Sequence, residues 1–428
     1  MSGHRDHPIW GCIADDFTGG TDIAAALVAA GFRTTLMVGV PERPLPRARD
    51  ADAVVVALKS RTAPRQQAVA ASLAALRHLT ALGCERFWFK YCSTFDSTSE
   101  GNIGPVTEAL LDELGERSTV LCPAYPDNGR TVYQGHLFVA DSLLSESSMR
   151  HHPLTPMTDP DLRRVLAAQS TQPVGLLPHP VLRAPEGAAR AHLDRLTAQG
   201  IRLIIADTTG NEDLPVVERA TRHLRLITGG SGLARFLPPP PRAAAARSPA
   251  DRIEIAPGPA AVLAGSVSAT TLGQTAHARR YLPHRKLPPA HLRADPAGTI
   301  AEALAWARDH LDPSVPVLLH SAEERADVER AQQSLGATEA AALVERALAD
   351  CARGLLDAGV RRLIVAGGET SGAVVSALGL RSLRIGPAAA PGVPWTSATY
   401  AGQTVNLALK SGNFGAPDFF TTAQETLK

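Results

Sequence analysis

Glycines that follow an apolar strand and precede hydroxyl residues are the feature of this sequence most able to do chemistry. Residues 363–378, LIVAGGETSGAVVSAL, read as strand, glycine turn and helix. Such a turn offers backbone N–H groups and the positive end of a helix to an anion. Gly367 and Gly368 lack the Cβ atoms that would keep a polyphosphate away from the backbone. Thr370 and Ser371 are helix N-cap types, and Glu369 stands between turn and cap. The segment is neither a P-loop nor a dinucleotide fingerprint, so alone it fits a plain strand-to-helix connection equally well. A second stretch, AVLAGSVSATTLGQ at 261–274, repeats the grammar with Gly265 and Ser266. A third, LKSGNFG at 409–415, adds Lys410 as a point charge and Gly412 as a place of close backbone approach. Two such turns across neighbouring strand ends can divide the work, one holding phosphates and the other walling a base or ribose.

The first half of the chain places charges at strand ends instead. An apolar strand over 8–14 runs into Asp15 and Asp16, then FTGGTD opens an alanine-rich helix reaching about Ala30. Acids at the carboxyl end of a parallel strand sit where α/β proteins bind ligands. Successive side chains of an extended backbone alternate faces, so one of the two carboxylates should face a ligand while the other braces the turn. Strands follow at 34–38 and 53–58, the latter ending in Lys59, Ser60 and Arg61. Two cations there suit a carboxylate substrate. After a helix over 64–82, a strand at 86–90 ends in Lys90 and opens into YCSTFDST, which contains Asp96, and then GNIG. That density of hydroxyl, acid, amide and glycine predicts a polar pocket. A strand at 118–122 leads to PAYPDNGRT and Arg130. The region 141–160 reads as loop, and its His151–His152 pair has neither HExxH spacing nor a cysteine partner to suggest a metal. Later strands are expected near Val174, at 201–206 and at 224–228, the last ending in GGSG.

These elements need a frame. A chain of 428 residues exceeds one ordinary domain. Residues 238–257 contain four consecutive prolines and RAAAAR, a composition that resists packing. The expected organisation is a substrate domain over 1–237, a linker over 238–257 and a nucleotide domain over 258–428. Each domain should be α/β with a mainly parallel sheet flanked by helices, the active site lying in the cleft between them. A formal net charge of +1 favours neither nucleic acid nor an anionic membrane as partner. No apolar run approaches the length of a membrane span and the start MSGHRDHPIWG lacks a signal-peptide core, which predicts a cytoplasmic protein. Five scattered cysteines without CxxC spacing read as reduced packing residues. Only five of the 43 basic residues are lysine, so Lys59, Lys90 and Lys410, each beside polar motifs, stand out.

ADDFTGGTD, FKYCSTFDST, GNIGPV, GRTVYQGHLFV, HPLTPMTDP, GGETSGAVV and LKSGNFGAPDFF together resemble the four-carbon acid sugar kinases, over about residues 9–420. The resemblance implies an N-terminal domain for the acid sugar and a C-terminal domain for ATP, with ATP contacts at Ser266, Gly367, Gly368, Glu369, Thr370 and Gly412. It implies phosphorylation of the terminal hydroxyl to a 4-phosphate, with KYCSTFDST favouring 3-oxo-tetronate over threonate or erythronate. The chain departs from the family where Gly20 is more often Ala, Val267 more often Cys, and Ala388–Ala389 stand where an acid is usual. On this reading Asp16 accepts the hydroxyl proton, with Asp15 and Asp96 as rivals that would otherwise bind sugar hydroxyls. Arg61 and Lys90, with Lys59 and Arg130 beside them, would hold the substrate. Mg²⁺ would bridge the β- and γ-phosphates with mainly water as its other ligands, and no residue is assigned to it. A homo-oligomer is compatible with all of this. Two other classes compete: a dehydrogenase, for which the GxGxxG turn and downstream acid are missing, and a non-catalytic sugar-acid binding protein, which would need no nucleotide site.

Overall fold

The computed structural model describes residues 9–41, 50–151, 155–240, 249–322, 324–412 and 414–427. The chain divides into two compact units, Met1–Ala250 and Asp251–Lys428. Of the stretch read as a linker, residues 241–248 lie outside those described. Its C-terminal end is packed: the Ala256 N–H donates to Asn406 Oδ1 at 2.7 Å, and Ile253 lies against the core of the second unit.

The first unit contains β1 (Trp10–Ala14), β2 (Thr34–Val38), β3 (Ala53–Ala57), β4 (Arg86–Lys90), β5 (Thr119–Cys122), β6 (Arg130–Tyr133), β7 (His136–Val139), β8 (Ser142–Leu143), β9 (Val174–Leu177), β10 (Leu203–Ala206) and β11 (Leu226–Gly229). Its main strands run in the order β2-β3-β1-β4-β11-β5-β10-β9, every neighbouring pair parallel. WGCIA and AVVVA are unbroken apolar runs because β1 and β3 are buried at every position, as expected for a parallel sheet covered on both faces. Gly11 belongs to that packing, since a Cβ there would lie 3.0 Å from the Leu79 Cβ of helix Arg65–Ala81. A small antiparallel sheet, β6-β7-β8, stands apart. The region read as loop contains regular elements, namely β8 and the 3-10 turns Leu144–Glu146 and Ser148–His151. His152 is outside the described residues.

The second unit contains β12 (Ala260–Ala264), β13 (His284–Lys286), β14 (Val317–His320), β15 (Arg362–Ala366), β16 (Ser382–Ala390), β17 (Val393–Tyr400) and β18 (Gln403–Lys410). They run β13-β14-β12-β15-β18-β17-β16, parallel as far as β18 and antiparallel beyond. Ala388 and Ala389 fall in β16, one arm of that antiparallel hairpin. Trp395 of β17 anchors the core beneath, with its Nε1–H donating to the Ala423 carbonyl at 3.1 Å.

Both units reverse strand order at their first strand. β2 and β3 lie on one side of β1 and β4 on the other; likewise β13 and β14 flank β12 opposite β15. Such switch points leave a crevice at the carboxyl ends of the diverging strands, where open α/β sheets bind ligands. In the first unit those ends carry Asp15 and Lys90. In the second they carry the Gly265 and Gly367 turns.

Candidate active site

At the end of β1 the chain turns into helix Phe17–Ala29, and Asp16 caps it. Asp16 Oδ1 accepts the Gly19 N–H at 2.8 Å, and the Thr18 hydroxyl donates to Oδ2 at 3.0 Å. Asp15 is gripped by a guanidinium: Arg61 Nε and Nη2 donate to its two oxygens at 2.9 and 2.8 Å. The same Nη2 lies 2.9 Å from Asp16 Oδ1. Side-chain exposure separates the two acids, 6% for Asp15 against 28% for Asp16. Burial pushes the Asp15 carboxyl above the usual range against the pull of Arg61. Burial acts on Asp16 in the same sense, but Arg61, Lys90 and the Gly19 N–H outweigh it and hold its carboxyl below the usual range. Asp16 is thus the more accessible of the two, with its carboxyl held the lower.

Lys90, at the end of β4, is buried beside them. Its Nζ donates to the Tyr91 carbonyl at 2.9 Å and lies 3.6 Å from Asp22 Oδ2. Asp22 also accepts from Ser231, in the GGSG turn after β11. The role of Asp22 in holding Lys90 was invisible to local pattern because its partners are distant in sequence. The loop carrying Arg61 is fastened by Asn102, whose Nδ2 donates to the carbonyls of Ser60 and Ala63, each at 2.8 Å. Asp96 joins the edge of the cluster through a short chain. The Thr94 hydroxyl donates to Asp96 Oδ1 at 2.6 Å, and Cys92 Sγ lies 2.9 Å from Thr94 Oγ1. Lys59 is exposed while Ser60 beside it is buried. Arg130 starts β6 in the separate antiparallel sheet and donates to the Asn128 carbonyl. Asp15, Asp16, Arg61 and Lys90 are thus brought together, Asp96 adjoins them, and Arg130 is engaged elsewhere. The Gly20 position is tight, because a Cβ would come 2.9 Å from that of Ala57.

In the second unit a cavity of about 290 Å³ lies at the β12–β15 switch point. Ser266, Gly367, Gly368, Glu369 and Thr370 line it, together with Gly265, Val267, Ser268, Ser321 and Asp327. An apolar wall comes from Pro289, Ala322, Ala340, Ala341 and Val344. That wall was not legible as a site because its members on helix Ala337–Asp357 belong to the apolar stripe any packed helix carries. Thr370 and Ser371 are not the caps they resemble. Gly367 is the N-cap of helix Gly368–Ala377, at φ +128°, a conformation that favours glycine. A Cβ on Gly367 would also meet Thr370 Oγ1 at 2.9 Å and the Ser266 nitrogen at 3.2 Å. The first turn of the helix therefore stays open toward the cavity. Ser268 does cap its helix, Ala269–Ala278, accepting from the Thr271 N–H at 3.2 Å. Gly412 backs this wall, and a Cβ on it would lie 2.9 Å from Ser268 Oγ. Ala388 and Ala389 are not among the cavity's lining residues.

Residues 10–237 match the family described as sugar-binding N-terminal domain, and residues 261–420 the nucleotide-binding C-terminal domain. A 3-oxo-tetronate kinase of Burkholderia multivorans is 50% identical over 431 residues, covering 100% of this chain and 99% of its own. The chain belongs to the four-carbon acid sugar kinase family. Another member named 3-oxo-tetronate kinase, from Pseudomonas fluorescens, is 50% identical over 99% of this chain and 98% of its own. The family fold is seen in a solved Salmonella typhimurium structure, which is 43% identical with a TM-score of 0.88 and covers 98% of this chain and 99% of its own. Among the described residues no helix is long and apolar enough to cross a membrane.

Proposed function

We propose that this protein transfers the γ-phosphoryl group of ATP to the terminal hydroxyl of 3-oxo-tetronate, giving the 4-phosphate. The observation that carries the reading is the cavity of about 290 Å³ rimmed by two glycine turns at a switch point. Full-length relatives named for this activity support the choice of acceptor. Phosphoryl transfer asks for positioning and charge neutralisation more than for covalent chemistry. Asp16, the more accessible of the two acids, accepts the hydroxyl proton as the bond to phosphorus forms, while Asp15 and Arg61 fix its orientation. Lys90 faces the substrate carboxylate with the N–H that its two protein contacts leave over, an ammonium having three. Among the described residues no three His, Cys, Asp or Glu side chains converge as a metal cage. An Mg²⁺ carried on the nucleotide's own phosphates and water would neutralise phosphate charge. ADP release assayed with 3-oxo-tetronate, threonate and erythronate tests the reading, and a higher kcat/KM for either of the latter two would reassign the substrate.

Two substitutions probe the two ligands separately. Gly368→Val puts a branched side chain on the first residue of the helix facing the cavity. KM for ATP should rise with sugar binding nearly intact, and unchanged ATP kinetics would make the turn merely structural. Lys90→Met keeps bulk and removes charge. Losing a charge-assisted hydrogen bond costs about 1.5–3 kcal/mol, so KM for the acid sugar should rise roughly ten- to a hundredfold. An equal loss with the corresponding lactone would show that Lys90 does not read the carboxylate.

A further inference from the structure

The ends of β12, β15 and β18 lie side by side, since these parallel strands are neighbours in the sheet. Each runs into one of the three glycine stretches, and Lys410 connects them. Its carbonyl accepts the Gly367 N–H at 2.9 Å, while Ala366 beside it accepts the Ser266 N–H at 3.0 Å. Its ammonium donates to the Ser411 and Gly412 carbonyls at 3.0 and 3.1 Å and to Thr271 Oγ1 at 3.1 Å. The Gly412 carbonyl is a hub, also accepting the hydroxyls of Ser268 at 2.7 Å and Thr271 at 2.8 Å. Through it the β18 turn is tied to the cap of the helix that follows Ser266.

We propose that Lys410 is a positioning residue of the nucleotide site, holding the three turns in register through neutral oxygens with a charge that bound phosphates, rather than a protein carboxylate, compensate. This rests on the nucleotide reading of the cavity. Lys410 is fully buried, and all three of its N–H directions end on neutral acceptors. The groups packed about it are Thr271 of helix Ala269–Ala278, Ala366 of β15, its own turn, and the ring of Phe420 at 5.9 Å. Among the described residues none brings it a carboxylate or a second cation, and burial alone lowers its pKa to about 7. A hydrophobic side chain would fill the volume without that penalty, so the retained ammonium implies a ligand that favours it. A polyphosphate on the adjoining turns supplies the missing charge and raises the lysine's proton affinity. By linkage, nucleotide and proton then bind together.

The sign follows. At pH 8.5 the free protein carries Lys410 mostly neutral, histidines and ADP phosphates are already deprotonated, and binding should draw a proton from the buffer. Titration of the wild-type protein with Mg–ADP in two buffers of different ionisation enthalpy, Tris and HEPPS, should show uptake of up to about one proton per nucleotide. Lys410→Met should lose that uptake and bind ADP roughly tenfold more weakly, with KM for the acid sugar unchanged. Equal heats in both buffers with the wild type would overturn the proposal, as would undiminished uptake in the variant. Saturable ADP binding without uptake sinks the role of Lys410 alone, whereas absence of any ADP binding would sink the nucleotide reading instead.

Discussion

Asp16→Asn is expected to lower kcat by roughly 10²–10⁴-fold, the range for loss of a positioned general base. The amide keeps the shape and, through its oxygen, the bond from the Gly19 N–H that caps the helix, so the protein should fold. It cannot take the hydroxyl proton. KM for ATP should stay near the wild-type value because the described residues that line the nucleotide cavity fall within 265–370, far along the chain from Asp16. Asp15→Asn should behave differently, since Asp15 is buried in a two-pronged bond to Arg61 and has little room for a ligand. Its expected effects are on thermal stability and on KM for the acid sugar. Measured kcat for both variants on folded, ATP-binding protein decides the matter. A nearly normal Asp16→Asn with an inactive Asp15→Asn would reverse the roles, and two active variants would move the base to Asp96.

What the sequence made legible was the grammar of strand ends. Apolar strands closing on Asp15–Asp16 and Lys90 in the first unit, and on Gly265–Ser266 and Gly367–Gly368 in the second, are local signals, and within each unit the parallel strands put such ends on one edge whatever the helices between them do. Partnership was not legible. Arg61 was read as a receiver for a substrate carboxylate because cations at strand ends often are, yet its guanidinium lies on the protein's own two carboxylates. Asp22 lies in the helix that Asp16 caps, and its partner Ser231 is 209 residues away. The hydroxyls of Thr370 and Ser371 suggested an N-cap where the backbone uses Gly367. In each case the residue type was informative and its partner lay beyond any local window. The antiparallel β16–β18 extension was missed for another reason. SLRIGPAAA carries a glycine, a proline and three alanines, so its nine strand residues do not alternate cleanly between apolar and polar.

The position of Arg61 makes its replacement the sharpest test of how the first unit's site is built. Arg61→Met would leave Asp15 buried without its two-pronged partner and would free Asp16 from the contact at 2.9 Å. Breaking one side of a buried ion pair typically costs about 3–5 kcal/mol, because the remaining charge is stranded. Burial already pushes Asp15 up, and without the guanidinium its folded-state pKa should climb further above the ordinary carboxylate value. A raised folded pKa means that the protonated form is the stable one. The variant should therefore lose stability as pH rises through that shifted value. The gap in Tm from wild type should be small below the carboxylate range and widen toward neutral pH. Adding Asp15→Asn removes the stranded charge and should recover most of the lost Tm while KM for the acid sugar remains high. Recovery of both would mean that Arg61 serves only to neutralise Asp15. Recovery of stability alone would mean that the guanidinium also sets where Asp16 and the substrate meet. A Tm deficit that is independent of pH, unchanged by the second substitution, would show that the Arg61 side chain acts through packing and not through charge.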